Sequence, residues 1–288
     1  MIDRPVAVIT GASAGVGLAT AKELLQSGWQ VIGTGRDATR CARAQAELQR
    51  LADNQELAVV LQADLAELTE VAALAKHILS LTQRVDALIN NAGGACADYR
   101  LTSDGNEYTL AANHFGHFFL TQQLLPTLRQ SASIRGKGAA RVVSVSSTGH
   151  EYCPGINWDD LKLSGHYVSG EAYCRAKLAN ILFTRELARR VAADGIVAHA
   201  MHPGVVASNF ISHLDDTMRA HMETLVGDPP EVPAKTLIWL ATDVEPGLCS
   251  GLYWHNFKTV EPSAAAQDDE QAMLLWRASE AVVHNALA

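Results

Sequence analysis

In Glu171-Ala172-Tyr173-Cys174-Arg175-Ala176-Lys177 a tyrosine and a lysine stand four positions apart. On a helix that spacing stacks the two side chains on one face. A free phenol has a pKa of about 10 and moves protons poorly at neutral pH. A neighbouring ammonium favours the phenolate and lowers that value. Tyr173 over Lys177 could therefore serve as a general acid/base. The same spacing also occurs on many helices with no chemistry attached. The reading depends on whether the rest of the chain builds a site around the pair.

The chain has 288 residues, of which 48% are hydrophobic and 19% charged, enough apolar material for one large α/β domain. The net charge is −8 and no basic block interleaves with aromatics, which disfavours a nucleic-acid partner. Met1-Ile2-Asp3-Arg4-Pro5 runs straight into an apolar strand, and no apolar run approaches the length of about 18 residues that spans a bilayer. The expectation is a cytoplasmic protein without a membrane span. The cysteines (Cys41, Cys96, Cys153, Cys174, Cys249) are odd in number, scattered and without a C-x-x-C pair, so reduced thiols are expected rather than a disulfide framework or a zinc site.

Pro5-Val6-Ala7-Val8-Ile9-Thr10 is a continuous apolar run, as in a strand buried on both faces of a parallel sheet. Gly11-Ala12-Ser13-Ala14-Gly15-Val16-Gly17 follows, then a helix to about Gln26. Strand, glycine loop and helix together suit a phosphate-binding turn, because glycines let the backbone approach a pyrophosphate and the helix start offers free N–H groups. The second strand ends in Gly33-Thr34-Gly35-Arg36. A carboxylate at that end suits the ribose of NAD, an arginine the 2′-phosphate of NADP. Arg36 lies in the strand end, whereas Asp37 looks like the cap of the next helix. That favours NADP(H) over NAD(H).

A third strand, Leu57 to Leu65, carries Asp64 near its end. A fourth, Val85 to Gly94, ends in Asn90-Asn91-Ala92-Gly93, where Asn90 could equally tie strand ends or touch a cofactor. Tyr108 to about Arg129 reads as a long helix containing Asn113-His114-Phe115-Gly116-His117-Phe118. Asparagine and glycine inside a helix are costly, which calls for a packing or functional reason. His114 and His117 lack the further ligands a metal would need, and no metal is expected. Ser147 closes a fifth strand. The stretch from about 150 to 170 is too long for a plain connection and reads as a substrate-facing loop. A sixth strand exits through Pro203-Gly204, and residues from about 209 to 230 read as a lid. The apolar side chains of both stretches, Tyr152, Trp158, Tyr167, Phe210, Ile211 and Leu214 among them, could line a pocket for an apolar substrate or pack on one another.

Strands alternate with helices throughout. Seven strands argue a Rossmann-type doubly wound parallel sheet flanked by helices, in a single domain over 1–288. Gly11 to Gly17, Arg36, Asp64, Asn90, Ser147 and Pro203 all fall at strand ends, where such sheets bind ligands.

With these motifs the sequence resembles the short-chain dehydrogenase/reductase family over nearly its whole length. Thr-Gly-x-x-x-Gly-x-Gly stands at Thr10 to Gly17, Asn-Asn-Ala-Gly at Asn90 to Gly93, and Tyr-x-x-x-Lys at Tyr173 and Lys177. The resemblance implies a catalytic group of Asn113, Ser147, Tyr173 and Lys177. It implies cofactor contacts from Gly11, Ser13, Ala14, Gly15, Val16, Gly17, Arg36, Asp64, Leu65, Asn91, Ala92, Gly93, Tyr173, Lys177, Pro203, Gly204, Val206 and Ser208. Lys177 would hold the nicotinamide ribose and lower the Tyr173 pKa, Ser147 would bond the substrate oxygen, and Asn113 would hold a water linking Lys177 to solvent. The Asn113 to Phe118 segment and the Ala172 to Asn180 segment resemble the branch of retinol dehydrogenases, WW-domain oxidoreductases and protochlorophyllide reductases. The implied activity is hydride transfer between NADP(H) and a small apolar carbonyl or alcohol. A non-catalytic NADP(H) sensor or scaffold and a carbon–carbon double-bond reductase are the alternatives. Members often form homodimers or homotetramers through the helices carrying Asn113 and Tyr173.

Overall fold

The computed structural model describes residues 4–207, 216, 219–220 and 224–287. The expectations for Ser208, Asn209, Phe210, Ile211 and Leu214 lie outside the described residues.

One sheet runs through the molecule in the order β3-β2-β1-β4-β5-β6-β7-β8. Its strands are β1 (Val6–Ile9), β2 (Gln30–Gly35), β3 (Ala58–Gln62), β4 (Ala87–Asn90), β5 (Ala140–Val145), β6 (Ile196–Met201), β7 (Tyr253–His255) and β8 (Lys258–Thr259). The first seven are parallel, as the alternating pattern predicts. The eighth is an addition to the seven expected. It pairs antiparallel with β7 through a hairpin in which Asn256 and Phe257 both take positive φ, 46° and 64°. Tight hairpins want that left-handed backbone, usually from Asn-Gly, so a phenylalanine in the second place hides the turn from a sequence reading. The chain leaves β3 and returns to the far side of β1 to form β4. That reversal sets the ends of β1 and β4 side by side, where ligands bind in open α/β sheets.

Helices cover both faces. On one lie α1 (Gly15–Gln26), α2 (Ala38–Leu51) and a helix at Glu231–Thr242, packing Leu24, Leu48, Leu237 and Leu240 against β1, β2 and β5. On the other lie α3 (Leu68–Leu81), the segment after β4, and α6 (Ser169–Val191), with Phe115, Phe118, Leu178 and Leu182 in the core. Each such side chain removed from water contributes roughly 1.5–3 kcal/mol, which anchors the helices that carry the site. The C-terminal helix, Asp269–Leu287, packs on α6. Its Trp276 meets Phe118 edge-on at 4.9 Å and stacks on Phe183 at 6.0 Å.

The long helix predicted from Tyr108 to about Arg129 is three pieces: α4 (Tyr108–Leu110), a π-turn (Ala111–Phe115) and α5 (Gly116–Arg135). The widened turn falls on Asn113. Wide turns inside helices concentrate at functional sites. β3 stops at Gln62, leaving Asp64 beyond the strand end.

Candidate active site

α1 starts at Gly15 with no side-chain cap and no acidic residue in its first turn, so its leading N–H groups are free for an anion. Gly11 and Gly15 take φ of +70° and +56°. A Cβ on Gly17 would stand 2.5 Å from Asn91 Nδ2 and also meet the Gly11 carbonyl. The loop is thus closed tightly on the β4 end. Asn91 Nδ2 donates to Thr10 O at 2.8 Å, and the N–H groups of Asn91 and Ala92 both donate to Thr10 Oγ1 at 2.9 Å. Gly35 lets Ser13 approach β2, since a Cβ there would lie 2.6 Å from Ser13 Oγ.

At the end of β2, Arg36 is exposed and donates to Tyr108 Oη at 2.5 Å, while Tyr108 donates to Asp64 Oδ2 at 3.0 Å. Arg100 lies over the Tyr108 ring at 3.4 Å from its centroid. Asp37 caps α2 by accepting from the Arg40 N–H at 2.8 Å, as expected. Leu65 is buried and offers only backbone here, and Gly116 lets α5 start directly against it.

Asn113 is fully buried. Its Nδ2 donates to Gly94 O at 2.8 Å and Thr109 O at 2.7 Å, and its Oδ1 accepts from the Gly94 N–H at 3.1 Å. With both amide N–H bonds spent on backbone, any role of Asn113 in the cleft falls to its main-chain carbonyl. A Cβ on Gly93 would collide with Asn113 Oδ1 and stand 3.0 Å from Lys177 Nζ, so Gly93 is the seam between the two.

The β5 end and α6 complete the group. Ser147 accepts from the Gly149 N–H at 3.1 Å and is hydrogen-bonded to the Tyr173 phenol. Lys177 Nζ lies 5.4 Å from the Tyr173 ring centroid and donates to Val145 O at 3.3 Å. Lys177 is 3% exposed, and burial lowers its pKa from 10.5 to about 8. The expected lowering of Tyr173 by Lys177 is not what the structure gives. Burial pushes the phenol up to about 12, outweighing the lowering by the Ser147 hydrogen bond. Ser147, Tyr173, Lys177 and Asn113 therefore converge around Gly93 and Gly149.

Pro203 and Gly204 leave β6 at the same edge, Gly204 with φ +75°, and Val206 bridges to Asp228. Asn90 is buried and its Nδ2 donates to Thr121 Oγ1 at 3.1 Å. His114 and His117 diverge, one to Ser279 Oγ at 2.7 Å and the other to Thr10 Oγ1 at 2.8 Å, which removes any shared ligand role. In the 150–170 loop, Tyr167 donates to Cys96 O at 2.5 Å and tilts against Tyr99, and Trp158 donates to Gln271 Oε1 at 2.9 Å. These two pack on the protein, while Tyr152 is 81% exposed.

Sequence reasoning missed the brace between the start of α4 and α6. Arg175 pairs with Glu107 at 3.1 Å, both sealed from solvent, and donates to Leu161 O at 3.0 Å. Glu107 also caps α4 by accepting from the Thr109 and Leu110 N–H groups. The charge of Arg175, midway between Tyr173 and Lys177 on a helix buried along most of its length, was the available signal. A cavity lined by Trp29, Arg135, Arg141 and Leu248 lies at the opposite, N-terminal end of the strands.

A family model described as short chain dehydrogenase matches residues 5–159. The chain belongs to that family. Human retinol dehydrogenase 14 is 38% identical over 300 residues, covering 96% of this chain and 85% of that one. Bovine (Bos taurus) retinol dehydrogenase 12 is 37% identical over 277 residues, covering 95% and 84%. An uncharacterized protein from Mycobacterium Paratuberculosis superposes with a TM-score of 0.74 at 33% identity, covering 98% of this chain and 96% of that one. The Pseudomonas aeruginosa RhlG/NADP active-site complex superposes with a TM-score of 0.68 at 28% identity, covering 86% and 93%. Within the family this is the retinol dehydrogenase branch, and the activity class is an oxidoreductase of CH–OH groups that uses a nicotinamide cofactor.

Proposed function

We propose that the protein is an NADP(H)-dependent oxidoreductase that interconverts a carbonyl and an alcohol on a small apolar substrate, with Tyr173 as the general acid/base. The observation that carries this reading is the hydrogen bond between Ser147 and Tyr173 beside the buried Lys177.

The residues present fit the cofactor. The uncapped start of α1, with Gly11, Gly15 and Gly17 where side chains would intrude, suits the pyrophosphate. Ser13, Ala14 and Val16 line that turn. Asp64 and Leu65 serve the adenine end, and Asn91, Ala92, Gly93, Pro203, Gly204, Val206 and Ser208 the nicotinamide end. Arg36, exposed at the end of β2, suits the 2′-phosphate, exchanging its bond to Tyr108 for the phosphate oxygens. When bound, the cofactor supplies or takes the hydride.

The remaining work falls to this chain. Ser147 donates a hydrogen bond to the substrate oxygen and stabilises the charge that develops there. Tyr173, protonated at neutral pH, gives its proton to that oxygen in reduction and takes it back in oxidation. Lys177 holds the ribose hydroxyls with its free N–H bonds and keeps a positive charge beside the phenolate as it forms. The Asn113 carbonyl anchors the water that reconnects Lys177 with solvent. The test is loss of NADPH absorbance with a ketone and aldehyde panel, run beside an enone panel. Tyr173→Phe should bind NADPH normally and lose at least ~10²-fold in turnover. Undiminished turnover, or activity on enones alone, sinks the reading.

A further inference from the structure

His117 stands on the first turn of α5 and is 2% exposed. Its two ring nitrogens face two different parts of the site. Nδ1 lies 2.9 Å from the main-chain oxygen of Asn113, and Nε2 lies 2.8 Å from Thr10 Oγ1. A carbonyl oxygen can only accept, so Nδ1 carries the ring proton. Nε2 then presents a lone pair and accepts from the Thr10 hydroxyl. That hydroxyl accepts in turn from the N–H groups of Asn91 and Ala92, both at 2.9 Å. The other acceptor open to it, Ile89 O, is longer at 3.4 Å. The donors therefore run in one direction, from the β4 end through Thr10 and His117 to the carbonyl of Asn113. A protonated ring would aim an Nε2–H at a hydroxyl whose lone pairs are already used. It would also set a second cation near Lys177, and burial keeps the ring neutral, its pKa lowered to about 4.

We propose that His117 is a positioning residue, a neutral ring protonated on Nδ1 that locks the main-chain carbonyl of Asn113 in the π-turn to the Thr10 end of the glycine loop. The assignment rests on the functional reading above for the roles of Asn113 and the loop. One ring thereby couples the closure of the cofactor loop to the presentation of the catalytic carbonyl.

Two variants separate the two halves of the ring. An asparagine amide can replace Nδ1 and donate to Asn113, but cannot reach Thr10. A glutamine amide can replace Nε2 and accept from Thr10, but leaves Asn113 without its donor. His117→Asn should weaken NADPH binding about tenfold with kcat nearly unchanged, the cost of one hydrogen bond at the loop. His117→Gln should bind NADPH nearly as the parent does and lose about tenfold or more in kcat. Parallel losses in both variants, or no loss in either, overturn the proposal. Nitrogen-15 NMR of the histidine rings in the unmodified protein gives an answer even if neither variant folds. His117 should show a protonated Nδ1 and a bare Nε2 at pH 7, and the opposite tautomer or a doubly protonated ring overturns it. NADPH binding and the NMR signal need no substrate. A parent protein that binds NADPH but reduces no carbonyl therefore sinks the functional reading, while the tautomer and the binding arm still decide on His117.

Discussion

Gly93 and Asn113 touch so closely that a methyl group on residue 93 would overlap the Asn113 amide oxygen. The same methyl would press on the Lys177 ammonium. Asn113 cannot retreat, because its amide is bonded to Gly94 and Thr109. Gly93→Ala should cost roughly 1–3 kcal/mol in stability, the usual range for overpacking, and abolish most turnover. Thermal unfolding and NADPH oxidation together check it, and a variant with the parent's stability and rate would contradict the geometry.

The proton on Tyr173 sets a pH profile. Burial holds the phenol near 12, so it enters reduction already protonated across the neutral range. Lys177, at about 8, is the group that titrates first as the pH rises. The kcat for reduction should stay level from pH 6 to 7.5 and decline above about 8, as the lysine loses its charge. A decline already complete below pH 7 would show that the phenol ionises far more easily than its surroundings allow.

Lys177 costs the fold stability. Burial disfavours its charged form, so its pKa falls from 10.5 in the unfolded chain to about 8 in the folded one. Between those values the unfolded chain binds a proton that the folded chain has shed, and stability rises with pH over that window. Below it, the folded protein carries the buried cation at full cost, on the order of 3 kcal/mol. Lys177→Met should therefore raise Tm at pH 7 by several degrees, lose turnover, and show a shrinking gain as the pH approaches 10. Calorimetry at the two pH values measures this, and a gain that grows with pH would refute it.

Arg36 should decide between the two nicotinamide cofactors. Exposed at the end of β2, its guanidinium donates to the Tyr108 hydroxyl and is well placed to turn to a phosphate. Arg36→Ala should weaken NADPH binding by at least about tenfold while leaving NADH binding within about threefold. Equal effects on the two would remove Arg36 from the 2′-phosphate.

The parts of this architecture written in local pattern were legible in the sequence. Short apolar strands, the glycines at Gly11 to Gly17 and the Tyr173–Lys177 spacing each carry their meaning within a few residues. The rest depends on contacts between distant segments. The π-turn at Asn113 is set by Gly116 pressing on Leu65 and by the Gly94 backbone that Asn113 binds. The direction of the Tyr173 shift turns on depth of burial, which no spacing encodes. The role of His117 is hidden in the sequence because its partner, Thr10, lies 107 positions away at the end of β1. The hairpin of β8 escapes because Phe257 takes a backbone conformation usually left to glycine.

The C-terminal helix also bears on how copies of this chain can meet. Asp269–Leu287 lays Trp276 over Phe118 and Phe183, and Asp269 pairs with Arg185 at 2.9 Å. The outward side of α6 is thereby already occupied from within the same chain. Peeling this helix away would expose the buried Trp276 together with Phe118 and Phe183. The chain thus supplies its own neighbour along that part of α6.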